Sequence, residues 1–216
     1  MTHERSRNDA ALTPPWTLAI GSFVLATPDS QLITLARQGN PAALTELIRV
    51  ISPGIFRFAQ RMTRSDEEAR DITQETFLRM IKNLDRYDPT WPFTTWVYRI
   101  ARNLCIDRSR HHSRWRFNFF RRDDDEEEDS MAELPDTRES QLTTLLSRET
   151  GATVEQALTK LKPPYREVLV LYHFEEMSYQ DIASVLQIPI GTVMNRIFRA
   201  RQQLKEFLGD TLLATG

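Results

Sequence analysis

The sequence is poor in the groups that make covalent or metal chemistry easy. Among 216 residues there is one cysteine, Cys105. A lone thiol forms no disulfide within its chain and builds no cysteine-rich zinc cage, so a reducing, cytoplasmic setting is expected. Cys105 falls inside a helical pattern, where such a residue acts as a small core side chain. The histidines, His3, His111, His112 and His173, are scattered without ligand spacing apart from the adjacent pair His111-His112. Carboxylates are dense only in one run. No metal, no cofactor, no small-molecule substrate and no enzymatic activity are therefore expected. Long apolar stretches are missing too, and nothing approaches the ~20 residues of a membrane span. The nearest, WTLAIGSFVLA at 16–26, follows Arg5 and Arg7 and imitates a secretory signal, but Glu4, Asp9, Pro14 and Pro15 fit one poorly. Residues 1–29 read as a poorly ordered N-terminal extension or a short packed helix. Charge of neither sign dominates: 28 Lys and Arg stand against 30 Asp and Glu, a net charge of −2. Any nucleic-acid binding must come from local distribution.

Strand alternation is also lacking, and what is present is helix. Asp29 or Ser30 can cap a first helix that ends at Gly39. Asn40-Pro41 is a good start for a second, since proline suits the first helical turn. Pro53-Gly54 is a candidate kink within it. Ser65 and Glu68 form a capping box for a third helix, reaching about Leu84. A loop at 88–92 holds two prolines, and a fourth helix runs from Phe93 to at least Arg110. Composition then changes at DDDEEED, residues 123–129. A run of like charges repels itself and is expected to be solvated and disordered. A second helical block covers 142 to about 213. It is broken at Lys162-Pro163-Pro164, at 175–178 and at 187–191. The expectation is an all-α chain of two small helical domains joined by a flexible acidic linker.

The second block contains SYQDIASVLQIPIGTVMNRIFRARQQLKE. Ser178 and Asp181 make a capping box, and 187–191 allows only a turn. In the last helix Val193, Ile197, Ala200 and Leu204 form one apolar stripe. Thr192, Asn195, Arg199 and Gln202 face the other way, flanked by Arg196 and Phe198. A short helix pair whose second member is basic and free of acids is a helix-turn-helix, in which that second helix enters the major groove. Arginine can hold guanine, and asparagine adenine, with paired hydrogen bonds.

Two stretches of the first block stand out. In DITQETFLRM, Ile72, Thr76 and Met80 share a side with Phe77 next to them, whereas Asp71, Gln74 and Glu75 share a polar face. In FTTWVYRIARNLCIDRSRHHSRWRF, arginines alternate with aromatics. Arginines attract phosphates and rings stack on unpaired bases, a mixture suited to single-stranded DNA. Trp96, Ile100 and Leu104, at spacing four, read as core.

Taken in order, DxxQETF, FTTWVYRIARNLCIDRSR, an acidic linker and LKPPYREVLVLYHFEEMSYQDIASVLQIPIGTVMNRIFRARQQL resemble the extracytoplasmic-function class of bacterial RNA polymerase sigma factors. The resemblance runs from about Gln31 to Leu208, apart from the linker. It implies that residues 30–113 are sigma region 2 and 142–210 sigma region 4, with a linker at 114–141 and a tail at 211–216. It implies that Asp71, Gln74, Glu75 and Phe77 dock on the clamp helices of the polymerase β′ subunit. The loop 88–92 and the helix after it would melt and read the −10 element, with Tyr98, Arg99, Arg102, Asn103 and Arg108 as contacts and Asn103 helping to hold a flipped base. Within the helix-turn-helix, residues 178–205, Thr192, Met194, Asn195, Arg196, Phe198 and Arg199 would meet the −35 duplex. The partners implied are core polymerase (β′ clamp helices and β flap), promoter DNA and an anti-sigma factor, often a membrane-anchored one. Three features depart from the class: Met194 stands where a basic residue is common, the linker is unusually acidic after RWRFNFFRR, and residues before Gln31 have no counterpart. The acidic run is either a spacer or a nucleic-acid mimic in the polymerase channel. A stand-alone helix-turn-helix regulator is the competing expectation. It would need a dimer interface or a receiver domain, and 30–113 lacks a receiver's strand-helix alternation.

Overall fold

The computed structural model describes residues 28–112 and 151–214, with side chains placed over 28–109 and 153–208. The expectations for residues 1–27, the acidic run and residues 142–150 lie outside the described residues. Among those described there are eight α-helices and no strand. Helix α1 (Ser30–Arg37) is capped by Asp29, whose carboxylate accepts from the Gln31 amide. It turns through Gly39 at φ 82°, backbone that costs glycine nothing. Helix α2 (Pro41–Thr63) begins at Asn40, whose side chain accepts from Ala42 and Ala43. Pro53 does not break it. Leu47, Ile51, Ile55, Phe58 and Ala59 continue one buried stripe past the proline, and burial outweighs one lost ladder bond.

Helix α3 (Asp66–Lys82) starts at Ser65, which accepts from the Glu68 amide as the capping box predicts. It stops two residues before Leu84, which opens a single 3-10 turn (Leu84–Arg86). Helix α4 (Phe93–His112) follows the loop. In the second block, α5 (Gly151–Lys160) leads to α6 (Pro163–Leu169), which loosens into a π turn over Val170–Phe174. Arg166 is buried and caps the end of α5 by donating to the carbonyls of Leu158, Thr159 and Leu161. Helices α7 (Tyr179–Leu186) and α8 (Ile190–Ala214) complete the chain's described part.

The halves are in contact. Helix α4 lies against α7, and α2 against α5, α6 and the π turn. The buried side chains form one continuous cluster through both.

Candidate nucleic-acid and polymerase interfaces

Helix α8 carries the first candidate surface. Val193, Ile197, Ala200 and Leu204 are all buried, as their spacing predicts. Ser178 Oγ accepts from the Asp181 amide at 3.1 Å and donates to the Asp181 carboxylate at 2.6 Å, so Ser178 caps the start of α7. The turn is made by Gln187 in the left-handed region, φ 57°. The Ile188 amide reaches back to the Ala183 carbonyl at 3.2 Å, which closes the end of α7 and points α8 across it. Met194 and Asn195 are exposed, Met194 at 47%, while Thr192, Phe198 and Arg199 are partly exposed. Asn195 Oδ1 accepts from Arg199 Nε at 3.2 Å, so the two base-reading types sit as one pair. Arg196 is turned further in. Its charge is close enough to Glu167 to oppose the rise in that acid's pKa.

The second candidate surface is the outer side of α3. Asp71 and Gln74 are exposed and Glu75 partly so, with Glu75 holding Arg79 at 2.8 Å. Phe77 is different: it is 7% exposed and packs beneath the helix with Ile72, Thr76 and Met80. Its aromatic body positions the polar face from below. Exposed Leu78 and Ile81 prolong that face with an apolar edge. Arg108 of α4 bonds Asp71 at 3.0 Å, which joins one residue of the expected polymerase set to one of the expected −10 set.

The third surface is the loop and α4. Tyr87, Phe93 and Trp96 pack with ring centroids 4.9–5.5 Å apart. The Tyr87 hydroxyl donates to the Trp91 carbonyl at 2.6 Å, and the Thr90 amide to Asp88 at 3.0 Å. The loop is thus a built object, and it holds the Trp91 ring 54% exposed. The sequence reading passed over Trp91. An aromatic between two loop prolines was the signal. Asn103 is exposed as well.

Tyr98, Arg99 and Arg102 do not share that exposure. Tyr98 is 0% exposed, donates to Glu175 and meets Phe58 edge-on at 5.4 Å. Arg99 donates to the Ser184 carbonyl at 2.7 Å and its hydroxyl at 2.9 Å. Arg102 bonds Glu167 at 2.9 Å, the two side chains being 18% and 3% exposed. One turn earlier Thr95 donates to Asp181 at 3.1 Å. From α2, Arg61 bonds Glu155 at 2.7 Å and lies over the Phe174 ring at 3.9 Å. Tyr98, Arg99 and Arg102 are the ones expected on an open face. The fold places them between the halves because acceptors more than sixty residues away come to rest on them.

Burial raises the pKa of Glu167, opposed by Arg102. Burial likewise pushes Glu175 up to about 7, although Tyr98, Arg61 and Arg57 pull the other way. Tyr98 is held far above its ordinary value by burial and by Glu175. Burial also suppresses ionisation of Cys105, which makes it an inert core thiol as expected. Glu167, Glu175 and Asp181 were not singled out by sequence reasoning as partners. The available signal was an acid inside the apolar run YREVLVLYHF.

A helix-turn-helix with an exposed basic face, joined to a helical block with an exposed acidic face and an aromatic loop, is the make-up of a transcription factor built from two modules. The comparisons with known proteins agree. Residues 47–115 match the sigma-70 region 2 family, and residues 152–204 match sigma-70 region 4. The chain is 34% identical over 186 residues to the ECF RNA polymerase sigma factor SigW of Bacillus subtilis, covering 82% of this chain and 95% of that one. It is 34% identical over 188 residues to the RNA polymerase sigma-H factor of Pseudomonas aeruginosa, covering 85% and 95%. The solved structure of CnrH in complex with the cytosolic domain of CnrY matches with a TM-score of 0.59 at 26% identity, covering 83% of this chain and 96% of that one. The protein belongs to the extracytoplasmic-function family of RNA polymerase sigma factors. It directs promoter-specific transcription, so the stand-alone regulator is not favoured. Among the described residues no helix is long and apolar enough to cross a membrane.

Proposed function

We propose that this sigma factor divides its work among the three surfaces. The outer face of α3, with Asp71, Gln74 and Glu75 and the apolar edge of Leu78 and Ile81, docks on the β′ clamp helices of core polymerase, and the second block rests on the β flap. Phe77 supports that face from below. Helix α8 enters the major groove of the −35 element with Asn195 and Arg199 toward base edges, Met194 and Thr192 beside them, and Phe198 and Arg196 at the flank. The loop 88–92 and α4 take the melted −10 strand, with Trp91 as a stacking ring and Asn103, Arg99, Arg102, Tyr98 and Arg108 along its path. The polymerase performs the chemistry, in the cytoplasm, and the sigma factor supplies the address. Two small grips on one polymerase reinforce each other by proximity, so the free chain holds specific duplex only weakly.

The observation that carries this reading is the first half of the α8 face, residues 192–202, basic and free of acids above a fully buried stripe. An anti-sigma partner is part of the proposal, since CnrH is solved with the cytosolic domain of CnrY. The test is reconstitution with bacterial core polymerase and transcription from a genomic fragment library. Specific start sites are expected, lost with Glu75→Lys and altered in −35 preference with Asn195 or Arg199 replaced. A chain that fails to co-elute with core and yields no start site would refute the docking assignment.

A further inference from the structure

Asn195 and Arg199 stand one turn apart on α8, and Asn195 Oδ1 accepts from Arg199 Nε at 3.2 Å. Arginine carries donors and no acceptor, so the amide oxygen is the only atom of Asn195 that can make this bond. A lone asparagine grips adenine with both ends of its amide, the oxygen taking the N6 amino hydrogen and the nitrogen giving to N7. Here the oxygen is turned to a guanidinium. A base amino hydrogen brought to its second lone pair would stand against positive charge. What remains suited to a base is the Nδ2 group, which only donates, beside a guanidinium that only donates. In the major groove guanine and thymine answer donors with their O6 and O4 oxygens, whereas adenine and cytosine present amino groups at that place. Resting on the −35 reading proposed above, we propose that Arg199 sets what Asn195 reads: the pair is one donor-only reader that selects a keto base, guanine or thymine, at the Asn195 position and rejects the adenine that a lone asparagine would take.

The fold holds this pair in place. Val193, Ile197 and Ala200 are buried at 0–1% exposure, which fixes the rotation of α8 about its axis. Residues 195 and 199 therefore keep the same outward side, at the i, i+4 spacing where helix side chains meet. Asn195 is exposed and Arg199 partly so, which leaves the pair at the surface that would meet the groove. Residues 192–202 include no carboxylate that could take the Arg199 Nε proton in place of Asn195. The consequence is a coupled reading: the base preferred by Asn195 depends on the residue one turn further along the helix.

The experiment uses the full chain reconstituted with bacterial core polymerase, on a promoter pool in which the −35 element of a mapped start site is randomised. Transcript counts give the base preference at each position, and Asn195→Ala marks the position that Asn195 reads as the one whose preference collapses. There the parent is expected to favour guanine or thymine over adenine and cytosine by about five-fold, the low end of what a base contact discriminates. Arg199→Met removes the donor from Oδ1 and keeps an unbranched helix former. It is expected to raise adenine at the Asn195 position by about five-fold over the parent, beyond relaxing the position that Arg199 itself reads. Arg199→Lys, which restores a cationic donor, is expected to return the keto preference. A parent that prefers adenine or cytosine there overturns the proposal while the −35 reading stands. So does an Arg199→Met chain that loses transcription equally from every promoter and leaves the Asn195 preference in place. If Asn195→Ala moves no −35 position while specific start sites persist, the proposal and the assignment of Asn195 to base edges fall together.

Discussion

Helices α4 and α8 are both basic, both flanked by aromatic residues, and both expected to meet DNA. The fold treats them differently. On α8 the apolar stripe is buried and Met194 and Asn195 remain outside, with Asn195 Oδ1 accepting from Arg199. On α4 the buried stripe is Phe93, Val97, Ala101 and Leu104, with Trp96 and Ile100 of the expected stripe only partly buried, and Tyr98, Arg99 and Arg102 lie under the second block. The difference teaches that amphipathic spacing determines which side of a helix faces its own core. It does not determine what covers the other side. On α4 the cover is three carboxylates, Glu167, Glu175 and Asp181, with the Ser184 carbonyl.

The largest effect expected to break this contrast comes from Glu167→Ala. It leaves Arg102 buried without its partner, and breaking such a pair costs about 3 kcal/mol or more. Opening of the halves relieves that cost, so energy transfer between dyes on α1 and α8 is expected to fall while helix content by circular dichroism stays constant. The open surface is tested by Arg199→Ala with the reconstituted polymerase. Losing a paired contact to a base costs about 1–3 kcal/mol and relaxes preference at one −35 position. Equal loss at every −35 sequence would instead mark Arg199 as a phosphate contact.

A smaller effect concerns pH. Glu175 is raised to about 7 when closed, facing Tyr98 of α4, Arg57 and Arg61 of α2, and its neighbour Glu176. In the open chain it returns toward the ordinary carboxylate value. The closed form therefore binds the proton more tightly, and its advantage is complete at acid pH and lost as pH rises through 7. The closed-to-open ratio is expected to fall about ten-fold from pH 6 to pH 8, read by the same dye pair. Glu175→Gln should flatten that profile. The smallest effect is Arg79→Ala. Its pair with Glu75 is half exposed, so unfolding stability is expected to change by less than about 0.5 kcal/mol. A large change there would mean that the α3 face serves the fold more than the polymerase.

Much of the architecture was legible. Ser65, Ser178 and Asn40 announce helix starts through short-range hydrogen bonds, and the stripe from Val193 to Leu204 announces a buried face through the helical period. These signals act within one or two turns, so a linear reading reaches them. Pro53 is a candidate kink because its ring opposes the local ladder; the helix runs on through it, with buried residues on both sides. Phe77 was assigned to docking because it lies within the docking motif, yet its helical angle turns it inward. Trp91 stood in plain sight, but only the ring packing of Tyr87, Phe93 and Trp96 holds its loop in shape.

The sequence by itself determined the helices, their buried faces, the capped turn before α8 and the order of motifs that marks the family. Each depends on neighbours along the chain, where periodicity and capping chemistry are local. Only the tertiary structure decided that Glu175 finds Tyr98, that Glu167 finds Arg102 and that Asp181 finds Thr95. Those partners lie more than sixty residues apart, and no periodic pattern couples them. A carboxylate in an apolar helix announces that it needs a donor, but which donor reaches it is set by how two blocks dock.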